Sequence, residues 1–167
     1  MTKATKESWK TKSAPKKKER LGYESLFSDL DAEKLFNGLI PVEMEDKWFI
    51  YYEDVWLYLH RSWTGALIYW IKLDGSPAGV RVVDSWVNRD PEEYKETDIE
   101  YDRQMLNFLI KRILLNEEVD FPIRKKDQKT TPKGIYQHHV SGRAFPEIEF
   151  KNLSLIERIR GIFKRNT

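Results

Sequence analysis

The order of apolar and polar positions changes period several times along the chain, and each change predicts an element. Leu30, Leu35 and Phe36 fall on one side of a short helix within Ser28 to Asn37. Asn37-Gly38 ends it, because glycine accepts the left-handed conformation that follows a helix. The pattern then becomes strand-like. Lys47 to Tyr52 and Val55 to His60 are rich in aromatic and aliphatic side chains. With only Glu53-Asp54 between them, a tight hairpin pairs Tyr52 with Val55, Ile50 with Leu57 and Trp48 with Leu59. Alternation places those six on one face and Phe49, Tyr51, Trp56, Tyr58 and His60 on the other. Ala66 to Leu73 reads as a third strand, Asp74-Gly75-Ser76-Pro77 as a turn and Val80 to Val87 as a fourth strand.

Helical spacing returns after Asp90-Pro91, where proline stands at the favoured first position of a turn. Ile99, Met105, Leu106, Leu109, Ile110, Ile113 and Leu114 form a wide apolar stripe from Asp98 to about Asn116, with Thr97 and Glu100 as a capping box. The fold expected is α+β: a four-stranded antiparallel meander with this long helix packed on one face. Residues 117–150, broken by Pro122, Pro132 and Pro146, read mostly as loop with a late strand at Ile135 to Val140. The rival reading has that region add one or two strands and close the sheet towards a barrel. Ser154 and Glu157 cap a last amphipathic helix over 151–167. That helix either docks on the domain or lies on a partner or membrane surface.

Charge divides the chain unequally. Residues 1–20 hold eight basic and two acidic side chains, near +6 within a whole-chain net charge of +2. The remainder is therefore mildly acidic, which argues against a nucleic-acid-binding core. The basic stretch has a lone Trp9 and no apolar periodicity, so it reads as a disordered tail. Its removal is expected to leave thermal stability unchanged. Nucleic acid or anionic lipid would be engaged through this tail if at all, and the plain alternative is a solubilising extension. The boundaries expected are a tail over 1–20, the α+β domain over 21–150 and the terminal helix over 151–167.

The absence of cysteine excludes disulfides, thiolate chemistry and cysteine-ligated metal centres. No apolar run approaches the roughly 20 residues of a membrane span. The N-terminus lacks the apolar core of a secretory signal. A soluble cytoplasmic protein is expected. His138-His139 is poor for chelating one ion, since neighbours on a strand point to opposite faces. No metal site, no cofactor signature and no spacing diagnostic of a catalytic triad is found, so no reaction is assigned.

Two constellations remain. Phe49, Tyr51, Trp56, Tyr58 and Trp70 form either a stacking platform for a base or simply a second sheet face covered by terminal segments. His60-Arg61-Ser62-Trp63-Thr64-Gly65 places a guanidinium, two hydroxyls and an indole in one hairpin connection. Arg61 can clamp a phosphate, Ser62 and Thr64 can donate to its other oxygens, and Trp63 or Trp56 can stack a base or ribose. Arg81 and Arg89 are candidate second cations. The alternative is a short loop with Arg61 stacked on a tryptophan.

The run from Trp48 to Gly65, with Val87-Asn88-Arg89-Asp90-Pro91 and the helix from Asp102 to Leu115, resembles a small bacterial domain fused to, or encoded beside, ADP-ribose-processing proteins. The resemblance spans about residues 35–116 and carries no catalytic assignment. It implies a ligand such as ADP-ribose or a related nucleotide. The other class of reading is a protein–protein interaction module without a small-molecule ligand.

Overall fold

A computed structural model describes residues 2–124. Among them lies one antiparallel six-stranded sheet, with one helix between its second and third strands and another after its sixth. The strands are β1 (Lys18–Arg20), β2 (Leu26–Phe27), β3 (Trp48–Glu53), β4 (Trp56–Arg61), β5 (Leu67–Ser76) and β6 (Gly79–Asn88). Their spatial order is β1-β6-β5-β4-β3, and β2 pairs with the other end of β6. The expected meander is thus the β3 to β6 portion of a larger sheet. Helix α1 spans Asp29–Asn37, and α2 spans Ile99–Phe108 and continues as a π-helical segment, Leu109–Leu114.

The first helix obeys its terminal residues. Ser28 accepts a hydrogen bond from the Asp31 N–H, and Gly38 closes the other end at φ 65°. A Cβ on Gly38 would meet the Ile50 carbonyl at 2.2 Å, so both the turn and the close approach require glycine. Leu30, expected inside, is exposed, and Ala32 and Leu35 take the buried side. At α2 the cap is Asp98 rather than Thr97: its carboxylate accepts from the Glu100 and Tyr101 N–H groups.

The β3–β4 hairpin differs from its expected register by two residues. Glu53 pairs with Trp56, Ile50 with Leu59 and Trp48 with Arg61. A shift of two preserves every face. The turn is Asp54-Val55, with φ of 49° and 67°, the positive values a two-residue hairpin demands. Val55, expected on the core face, is instead exposed at that tip. The second hairpin also runs longer than expected, with Ser76 pairing Gly79 around Pro77-Ala78.

One sheet face shares its core with the helices. Trp48, Ile50, Leu57, Leu59, Tyr69, Ile71 and Leu73 cluster with Leu35, Met105, Leu106, Leu109, Ile110 and Ile113. Each large apolar side chain so buried contributes roughly 1.5–3 kcal/mol.

The other face corrects the reading of residues 1–20 as disordered. Residues 2–17 form a strap across it, and β1 follows at the sheet edge. The Ala4 N–H donates to Asn37 O at 2.9 Å, the Lys12 N–H to Gly65 O at 2.8 Å and the Arg89 N–H to Lys17 O at 2.9 Å. Ala4 is buried against Phe49 and Tyr51, with Ile40 and Tyr58 packed beside them. Main-chain pairing holds this segment, and main-chain pairing leaves no apolar period to detect. The strand at Ile135 to Val140, the histidine pair, the barrel alternative and the 151–167 helix lie outside the described residues.

Candidate functional site

The site is built where β3, β4, the 61–65 connection and the segment after β6 meet. Register places Arg61 across from Trp48, and the guanidinium lies over the indole, 4.5 Å from its centroid. Trp48 stacks on Tyr69 at 6.0 Å. The Tyr69 and Tyr94 hydroxyls donate to Oδ1 of Asp102 at 2.9 and 2.6 Å. Oδ2 of Asp102 stands 2.7 Å from Nη2 of Arg89, an ion pair whose atoms make no well-aligned hydrogen bond. Arg89 also donates from Nε to Glu19 at 2.8 Å and from Nη1 to the Glu96 carbonyl at 3.0 Å. Asp102 is fully buried.

Electrostatics make this inner cluster structural. Burial pushes the Asp102 carboxyl above its ordinary value, while Tyr94, Arg89 and Tyr69 pull it back. Burial, then Tyr94 and Asp102, push Tyr69 upward, and burial, then Asp102, push Tyr94 upward against the opposing effects of Tyr69 and Arg61, so both phenols stay protonated donors. The buried carboxylate is compensated by two phenol hydrogen bonds and an ion pair, and neither phenol is poised as a base or nucleophile.

Outward of Arg61 the arrangement opens. A cavity of about 280 Å³ is lined by Lys47, Arg61, Trp63, Thr64 and Glu93. Ser62 N–H donates to Lys47 O, which continues the β3–β4 ladder and sets Lys47 beside Arg61. Burial, and then the charge of Arg61, lower the pKa of Lys47. The Lys47 ammonium sits 5.4 Å from the centroid of Trp63, whose indole N–H donates to Met44 O at 2.8 Å. Thr64 Oγ1 accepts from the Ala66 N–H at 3.2 Å and keeps its own proton for a further acceptor. Glu93 accepts from Asn88 Nδ2 at 3.1 Å and is 4.0 Å from Lys12 Nζ.

Of the residues singled out in the sequence, Arg61, Trp63 and Thr64 line this cavity. Ser62 does not: it is buried and donates to Asp46 O at 2.6 Å, so it fastens the loop. Trp56 lies at the far end of β4, across from Glu53 and Lys72. Arg81 pairs with Asp74 at 3.7 Å on the second hairpin. Arg89 belongs to the inner ion pair. The aromatic face offers no open platform. Phe49, Tyr51 and Trp70 are buried, and Trp86 stacks on Trp70 with Lys18 and Arg20 over its ring. Lys47 and Glu93 were missed. The two-residue register error hid Lys47, because the correct pairing puts it opposite Ser62.

Among the described residues no group of three or more His, Asp or Glu is placed to hold a metal ion, and no helix is long and apolar enough to cross a membrane. The chain matches no protein-family model, no curated protein and no solved structure.

Proposed function

We propose that the domain binds a phosphorylated, nucleotide-like ligand in the cavity between Lys47 and Glu93. The observation that carries this reading is the juxtaposition of two cations, Lys47 and Arg61, in one open cavity, where burial and then the charge of Arg61 disfavour the Lys47 ammonium. Like charges held together gain most from an anion between them. Arg61 supplies a planar fork for phosphate oxygens, Lys47 a point charge and Thr64 a neutral donor. Trp63 gives an apolar wall for a ribose or base, and Glu93 accepts from ribose hydroxyls, as carboxylates do in dinucleotide sites. About 280 Å³ lies just below the usual range of ligand pockets, roughly 300–1,000 Å³. The cavity therefore suits one nucleoside monophosphate, and the rest of ADP-ribose would lie outside it. We assign no reaction to it.

Calorimetric titration of AMP and ADP-ribose into wild type and Arg61→Ala tests the reading. Loss of a charge-assisted hydrogen bond, about 1.5–3 kcal/mol, weakens binding about 10- to 150-fold. The variant also loses the stacking of Arg61 on Trp48, so some stability goes with it. Absence of binding to wild type, or equal binding to the variant, overturns the proposal. The second reading is a protein partner seated on Val42, Met44 and Trp63, three exposed apolar residues joined by the Trp63–Met44 hydrogen bond. It predicts a co-purifying partner and no nucleotide heat.

A further inference from the structure

The strap brings cations to the mouth of the cavity and continues them along the same end of the sheet. The Lys12 N–H bonds to Gly65 O, and Lys12 Nζ approaches Glu93 in the cavity wall. The Lys10 carbonyl would lie 3.3 Å from a Cβ on Gly65, so the strap runs tight against the loop. Farther on, the Arg89 N–H to Lys17 O bond and the β1–β6 pairing fix Lys16 to Lys18 beside Asn88. Asn88 Nδ2 donates to Leu67 O, two residues beyond Gly65. Lys10, Lys16, Lys17 and Lys18 are all exposed.

Two tryptophans interleave with these cations. The Trp9 indole N–H donates to Ser62 O at 2.7 Å, and the Trp63 indole N–H donates to Met44 O. Ser62 and Trp63 are neighbours, so two indoles, 37% and 57% exposed, are fixed to one loop. Each has its only donor occupied, and hydrocarbon faces are what remain.

Resting on the cavity reading above, we infer that the ligand is a single-stranded nucleic acid. One nucleotide sits between Arg61, Lys47 and Trp63, the next base meets Trp9, and the following phosphates run over Lys12, Lys10 and Lys16 to Lys18. Aromatic faces interleaved with cations along a path are how sequence-tolerant single-strand binders work. The mildly acidic remainder of the domain confines a polyanion to this path. A duplex would need a helix or ribbon to enter a groove, and an anionic bilayer would give the cavity no role.

The test uses the full chain and fluorescence anisotropy. A labelled oligothymidylate of about twelve nucleotides is compared with AMP as competitor, over a range of salt. The oligonucleotide is expected to bind at least about tenfold more tightly than AMP, weakening by a log–log salt slope of about 0.7 for each phosphate neutralised. Neutralising Lys16→Gln with Lys17→Gln lowers oligonucleotide affinity, and reversing both to Glu lowers it further. AMP binding with no gain from chain length overturns the inference and leaves the cavity reading standing. Failure of both probes removes the two together. Oligonucleotide affinity unchanged by the Glu pair, or equal affinity for duplex or for phosphatidylserine vesicles, also overturns it.

Discussion

Two charged centres lie within one chain of contacts, and they are organised in opposite ways. Around Asp102 the signs are mixed and the groups enclosed, with two phenols and Arg89 directed at one buried carboxylate. Lys47 and Arg61 are like-charged neighbours that line an open cavity, with the Glu93 carboxylate on its wall. Trp48 and Tyr69 connect the two by ring contact. The first centre needs nothing from outside. At the second, burial and then the charge of Arg61 disfavour the Lys47 ammonium, which the proposed anion would favour. A perturbed ionisable group is therefore a site candidate only where it also faces an open cavity.

The largest break in this comparison comes from the enclosed centre. Asp102→Ala removes the carboxylate that accepts from the Tyr69 and Tyr94 hydroxyls and pairs with Nη2 of Arg89, leaving Arg89 only its Glu19 and Glu96 O contacts. Removing one partner of a buried pair costs about 3–5 kcal/mol. Chemical denaturation reads this as a lower midpoint, and a loss below about 1 kcal/mol would mean that the cluster is solvated.

Deleting residues 2–17 comes next. It removes the Ala4 and Lys12 main-chain bonds, the Lys17 acceptor and the Trp9 anchor, and it uncovers Phe49 and Tyr51. At about 1 kcal/mol for each hydrogen bond lost, the melting temperature falls by several degrees. An unchanged melting temperature would return the strap to the tail that composition alone suggests.

A smaller effect of opposite sign follows at the hairpin that delivers Arg61. Val55 holds φ 67° with a β-branched side chain. Val55→Gly makes the tip Asp-Gly, the favoured sequence for such a turn, and is expected to stabilise by about 1 kcal/mol. Equal or lower stability in a thermal melt would show that the strain is relieved elsewhere.

His60 gives a pH-dependent test of the loop and strap. Its Nδ1 lies 2.8 Å from Gly65 O, which makes that nitrogen the donor, and Nε2 is buried without a partner. Burial lowers its pKa from 6.5; the Gly65 bond raises it, and Lys6 lowers it further. A depressed folded pKa means the stability tied to neutral His60 is complete above pH 6.5. It is lost as pH falls from 6.5 towards the folded value. An NMR titration should show a midpoint below 6.5, and a midpoint at or above 6.5 contradicts the buried neutral imidazole.

These elements were not equally legible in the sequence. The meander and the long helix follow from side-chain period, which survives a two-residue slip because faces repeat every two residues. Partner identity does not survive it, so Arg61 and Trp63 were found while Lys47, one rung below, was not. Arg89 and Asp102 are an arginine and an aspartate in sequence, and only the fold shows that they face each other. The strap was misread because its order comes from main-chain bonds and one indole, and neither has a periodic signature. Ser62 resembled a ligand donor until its hydroxyl was seen bound to Asp46 O.

The most direct measurement is made on Lys47→Gln, with stability and AMP affinity determined on the same samples. The substitution removes a charge that burial and Arg61 disfavour. Relief of that charge and loss of the Lys47–Trp63 ring contact oppose each other, so stability is expected to change by less than about 1 kcal/mol, while AMP affinity falls about 10- to 150-fold with the lost charge-assisted contact. A variant that is less stable by about 1 kcal/mol or more, yet binds AMP as wild type does, would contradict the account. Lys47 would then be holding the loop together, and the open cluster of cations would not be a site.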